Sequence, residues 1–121
     1  MAGIVIVANN IDAEAAFKIA GKVARKLEFA THRIDDWEWE ATKGSLVASI
    51  FLGAFIAYCD FRIWVEEERN RSVAISIERN CPWWSGVIGV NRVKNQASAL
   101  ADAIEEALEK DGGEVLERTA L

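Results

Sequence analysis

The side chains able to do acid–base, nucleophilic or metal chemistry are few in this chain. It carries one histidine, His32, and two cysteines, Cys59 and Cys81, among 19 acidic and 14 basic residues. A single histidine excludes multi-histidine metal sites and leaves general-base work as its one catalytic role. His32 follows an amphipathic segment in the polar run Thr31-His32-Arg33, which reads as a loop, and nothing beside it in sequence builds a triad. Two cysteines are too few for a structural zinc site, and their spacing is not one used for redox work. Cys59 alternates with Ala57 and Phe61 and reads as core packing, whereas Cys81 sits next to Pro82 and Trp83 with no identifiable base to activate it.

Carboxylates are more plentiful. Asp35, Asp36, Glu38 and Glu40 offer oxygen ligands for a hard cation, and Glu40-Ala41-Thr42-Lys43 with Asp60 can be stretched into a nuclease-like cluster of acids and a lysine. A small metal-dependent hydrolase, with its acid and base drawn from Asp35, Asp36, Glu40, Asp60 and His32, is therefore the enzymatic alternative. Alternating carboxylates on a strand are more simply its wet face. Gly86-Val87-Ile88-Gly89 lacks the spacing and the lysine of a phosphate loop. No catalytic residue, metal ligand or cofactor is assigned from the sequence.

Five tryptophans against one tyrosine are the unusual feature. Indoles bury large areas and need a partner for their N–H. Trp37 and Trp39 alternate with Asp36, Glu38 and Glu40, so both are expected to pack in the core under a helix. Trp64 alternates with Asp60, Arg62 and Glu66, opposite an apolar face. With Ile56 and Tyr58 it forms a stripe that a two-layer domain leaves open, so Ile56, Tyr58, Asp60, Arg62 and Trp64 are the candidate interface. Asp60 and Arg62 are opposite charges that a two-fold axis can bring together between subunits. Cys81, Trp83 and Trp84, on a loop able to move, are the candidate ligand site for a small apolar or flat molecule.

The elements that must position these groups follow from periodicity. Ile4-Val5-Ile6-Val7, closed by Asn9-Asn10, reads as a strand and turn. From Asp12 the period changes: Ala16, Ile19, Ala20, Val23, Ala24 and Leu27 recur at helical spacing, with Asp12 as N-cap and Arg25 and Lys26 toward the C-terminus. Trp37 to Ala41, Leu46 to Leu52, Phe55 to Glu66 and Val73 to Ile77 read as strands, the last two joined through the polar turn Glu67 to Arg71. Asn80 to Gly89 reads as a loop. A second helix begins near Asn91, with Val93, Ala97, Leu100, Ala101, Ile104 and Leu108 as its apolar stripe, and ends at Asp111-Gly112-Gly113. Val115 and Leu116 extend a final edge strand or belong to a loose tail.

The order β-α-β-β-β-β-α, with an optional last strand, predicts one α+β domain over residues 1–121: an antiparallel sheet of four to six strands with two amphipathic helices on one face. With 121 residues, 51% of them hydrophobic, the chain is long enough to bury a core without a disulfide or metal. A net charge of -5 argues against a phosphate-tracking nucleic-acid binder. The start lacks the basic residues of a signal peptide, and Gly44 to Cys59 is too short to span a bilayer comfortably. The reading is of a cytoplasmic, non-enzymatic module that self-associates as a homodimer or larger assembly, or binds a small ligand.

Overall fold

A computed structural model describes residues 3–43, 59–68, 72–79 and 86–120. Its elements are β1 (Gly3–Asn9), α1 (Ala13–Lys26), β2 (Ala30–Asp35), β3 (Glu38–Lys43), β4 (Cys59–Glu67), β5 (Ser72–Arg79), α2 (Gly86–Lys110) and β6 (Glu114–Ala120). The strands form one antiparallel sheet in the order β2-β3-β4-β5-β1-β6. The α+β class, the antiparallel sheet and the order of elements are those read from the sequence.

Alternation sets the two faces of the sheet. Ile4, Ile6 and Ala8 of β1, Phe61, Ile63 and Val65 of β4, and Val73, Ile75 and Ile77 of β5 are buried. Against them lie Ala16, Phe17, Ala20, Val23 and Ala24 of α1 and Leu100, Ala101, Ile104 and Leu108 of α2. Both helices owe their seating to the apolar stripe at three- and four-residue spacing. Arg118 of β6 ties the outer strand to α2 by pairing with Asp102 and, at 3.7 Å, with Glu105.

The helix ends show how local sequence meets global packing. Asp12 caps α1, its Oδ1 accepting from the Ala15 N–H at 2.7 Å. At the other end the Glu28 N–H donates to the Arg25 carbonyl and the Phe29 N–H to Ala24. This pair of bonds is a Schellman closure, and it puts Glu28 at φ +70°. Phe29, 3% exposed, is the apolar anchor that follows. The end of α2 repeats the arrangement, Gly112 N–H to Glu109 and Gly113 N–H to Leu108, but there the left-handed residue is Gly112 at φ +91°. Glycine pays no steric penalty in that conformation, and glutamate does.

Four local expectations change. Ala30–Asp35, read as a loop around His32, is the edge strand β2. An edge strand borders a neighbour on one side only, and nearly every residue of this one is exposed, so no apolar alternation betrays it. The second helix starts at Gly86, five residues before the expected point. Trp37, expected in the core, is 46% exposed in the β2–β3 turn. Asp60, expected on the outward face of the hairpin as a candidate interface residue, is 8% exposed and therefore buried in the single chain. The final strand does form, as β6 on the outer edge beside β1. The Leu46–Leu52 strand and the Phe55–Tyr58 portion of the long strand lie outside the described residues.

Candidate functional site

The most exposed aromatic surface among the described residues gathers where α1 crosses the β2–β3 turn. Asp35 at the end of β2 accepts the Trp37 N–H through Oδ1 at 2.8 Å, and this side-chain bond closes the turn. The Trp37 carbonyl accepts from the Val65 N–H at 2.9 Å, which extends the β3–β4 ladder by one rung. Trp37 is thus fixed at its backbone from two directions while its indole stays about half in water. Its ring meets Phe17 edge-on, at 6.5 Å between centroids and 69° between planes.

Trp39, two residues on, is turned to the helix face. It stacks on Phe17 at 4.7 Å and 14°, and its Nε1–H donates to the Phe17 carbonyl at 2.9 Å. Gly21, one turn along α1, makes this seat possible, because a Cβ there would stand 2.5 Å from Trp39 Cζ2. Arg25 lies over Trp39 at 5.6 Å from the ring centroid, and Arg33 over Phe17 at 5.3 Å. The result is a cleft of about 390 Å³ between α1 and the turn, with Phe17, Trp37 and Trp39 as its walls.

The charges around that cleft are unequal. Lys18 pairs with Glu14 at 3.2 Å and Arg33 with Asp36 at 3.1 Å. Arg25 donates to the Thr31 hydroxyl at 3.2 Å, so among the described residues its partner is a neutral group. Among the described residues that line the cleft, Arg25 is the cation in no ion pair.

On the opposite face of the sheet, His32, Glu40, Arg62 and Glu78 form one cross-strand row. Arg62 bridges Glu38 at 3.2 Å and Glu40 at 3.1 Å. The hydrogen bond that Arg62 donates to Glu38 and the charges of Glu40 and Asp60 outweigh desolvation, so the guanidinium pKa is raised above its already high ordinary value. Arg62 already pairs with two carboxylates of its own chain through its terminal nitrogens, while its Nε is buried without a hydrogen-bond partner among the described residues, and Asp60 is buried. Trp64 follows on the same face, half-buried.

The other sequence candidates separate. Asp35 and Asp36 border different clefts on either side of Trp37. Among the described residues no three of the His, Cys, Asp and Glu side chains come together as metal ligands. Cys81, Trp83, Trp84, Ile56 and Tyr58 lie outside the described residues. Sequence reasoning missed Phe17, Arg25, Arg33 and the exposure of Trp37. The available signal was Asp35-Asp36 just ahead of Trp37, an aspartate-rich turn between two strands that leaves the indole on the last rung of the ladder.

No described helix is long and apolar enough to cross a membrane. Comparison with models of known protein families and with curated proteins finds no match to this chain.

Proposed function

We propose that this chain is a non-catalytic binding module whose Trp37 cleft takes a flat aromatic group bearing an anion. The observation that carries the reading is the mounting of Trp37: a 46% exposed indole held at both its N–H and its carbonyl. Leaving about 100 Å² of indole in water forgoes roughly 2 to 3 kcal/mol of burial. A ligand covering the ring recovers part of that without an ordering cost at the turn. The volume suits a small aromatic molecule. Arg25 supplies the charge that selects an anion over a neutral ring, with a planar guanidinium suited to carboxylate or sulfonate.

Naphthalenesulfonate is the probe. Calorimetric titration is expected to show one saturable site in the wild type, weakened about tenfold by Trp37→Ala and also weakened by Arg25→Gln. Equal affinity in Trp37→Ala and wild type removes the cleft from consideration. Self-association over the open sheet face is the less supported alternative, because Arg62, the charge expected to pair between subunits, already bridges Glu38 and Glu40 of its own chain. Sedimentation of wild type and Trp64→Glu separates the two readings, since a concentration-dependent dimer lost in Trp64→Glu favours the assembly.

A further inference from the structure

β2 ends the sheet: it pairs with β3 alone, and among the described residues no backbone hydrogen bond reaches its outer side. The ladder tells which of its groups point outward. The Val65 N–H donates to the Trp37 carbonyl opposite it, so the alternate residues Trp37, Trp39 and Ala41 direct their backbone groups at β4. Glu38, Glu40 and Thr42 therefore face β2, where Asp35, His32 and Ala30 meet them, and Thr31 and Arg33 are left with N–H and C=O turned outward. We infer that this edge takes an extended peptide segment of another protein, running antiparallel to β2, with an aromatic residue opposite Arg33 and an acidic residue two positions later, opposite Thr31.

Residues directly opposite one another in a ladder put their side chains on the same face. Thr31 and Arg33 pair with Ala41 and Trp39, and their side chains meet α1: Arg25 donates to the Thr31 hydroxyl at 3.2 Å, and Arg33 lies 5.3 Å from the Phe17 ring centroid. A peptide residue opposite Arg33 is thus set beside the Trp37 cleft, which Arg33 lines. The residue opposite Thr31 is set beside Arg25. Lys18, Lys22 and Arg25 follow at four- and three-residue spacing along α1, on the side where Gly21 and Arg25 meet Trp39. Among the described residues, Lys22 and Arg25 are in no ion pair, so the charge along this edge favours an acidic side chain. Docking here rests on the reading of the Trp37 cleft as a site for an aromatic group with an anion, and it carries the two groups on one extended chain.

A second copy of β2 is the competing occupant, and charge opposes it. Antiparallel pairing of two β2 strands about His32 sets Arg33 of each copy opposite Thr31 of the other and close to its Arg25, which brings like charges together. The register shift between Arg33 and Asp35 ends regular pairing, so Thr31 and Arg33 supply the backbone bonds and the side chains must supply the selectivity.

The test is a proton–nitrogen NMR titration with the capped peptide acetyl-Thr-Phe-Thr-Glu-Thr-amide, following the backbone amides of Thr31 and Arg33 and the indole N–H of Trp37. All three signals are expected to shift along one saturable curve. Moving the glutamate next to the phenylalanine, at unchanged composition, is expected to weaken binding about tenfold, because the two side chains then take opposite faces. N-methylation of the phenylalanine nitrogen, which removes a ladder donor without altering the protein, is expected to weaken it about tenfold as well. Arg25→Gln is expected to weaken the peptide about fivefold while leaving unchanged the affinity of a peptide with glutamine in place of the glutamate. Equal affinity of the rearranged or N-methylated peptide, no response to the peptide, or a Trp37 shift with Thr31 and Arg33 unmoved overturns the inference, and the cleft reading then stands or falls separately on naphthalenesulfonate. Shifts of the Thr31 and Arg33 amides that grow with protein concentration alone place a second copy on the edge and overturn it too.

Discussion

Replacing Gly21 by alanine should destabilise this protein, against the usual direction of that change in a helix. At an ordinary mid-helix position the substitution gains about 1 kcal/mol from propensity. Here the new methyl carbon would sit 2.5 Å from Cζ2 and 2.7 Å from Cε2 of Trp39, deep inside contact distance. Trp39 cannot swing away freely, because its Nε1–H is bound to the Phe17 carbonyl and its ring is stacked on Phe17. Overpacking of this kind costs about 1 to 3 kcal/mol, and loss of the indole hydrogen bond about 1 kcal/mol more. The net expectation is a loss of about 1 to 3 kcal/mol in urea denaturation at unchanged m-value. In a Trp39→Val background the methyl has room, and Gly21→Ala should then stabilise by about 1 kcal/mol. A neutral or stabilising Gly21→Ala in the wild-type background would refute the idea that this glycine is kept for the indole.

Ile104→Ala removes a fully buried side chain from α2 and should cost about 2 to 5 kcal/mol by chemical denaturation; a loss well below 1 kcal/mol would mean that α2 is not a core helix. Glu28→Gly relieves the left-handed backbone at the end of α1 and should raise stability by up to about 1 kcal/mol, measurable as a higher urea midpoint. Arg62→Leu leaves Glu38 and Glu40 without their shared cation and should cost about 1 to 2 kcal/mol. The raised pKa of Arg62 means that its contribution is complete below the ordinary arginine range and is lost only as pH rises through a still higher value. The penalty measured between about pH 6 and pH 10 should therefore be flat, and a penalty that vanishes by the upper end of that window would contradict the pairing.

The fold was legible wherever one face of an element is buried. Ile4 and Ile6, the stripe from Ala16 to Ala24, Phe61 to Val65 and Leu100 to Leu108 all announce their partners by period, because burial selects residue type there. β2 was not legible: His32, Arg33 and Asp35 on an edge strand are polar on both faces, and only pairing with Glu40 and Trp39 makes them strand. The same physics hid the candidate site. Alternation assigned Trp37 and Trp39 one common fate, but Asp35 closes a turn on the Trp37 N–H, so the strand begins only at Glu38 and the first indole is left outside. Arg25 and Arg33, which read as surface charge, meet Trp39 and Phe17 only through the crossing of α1 over β2 and β3.

The most direct measurement is a proton–nitrogen NMR titration of the wild-type protein and Trp37→Ala with naphthalenesulfonate, following the indole N–H groups one by one. Trp37 and Trp39 should shift together along one saturable curve in the wild type, and the Trp39 response should weaken by about tenfold in Trp37→Ala. Shifts confined to Trp83 and Trp84, or a Trp39 response that survives unchanged without the Trp37 ring, would contradict a binding role for the cleft.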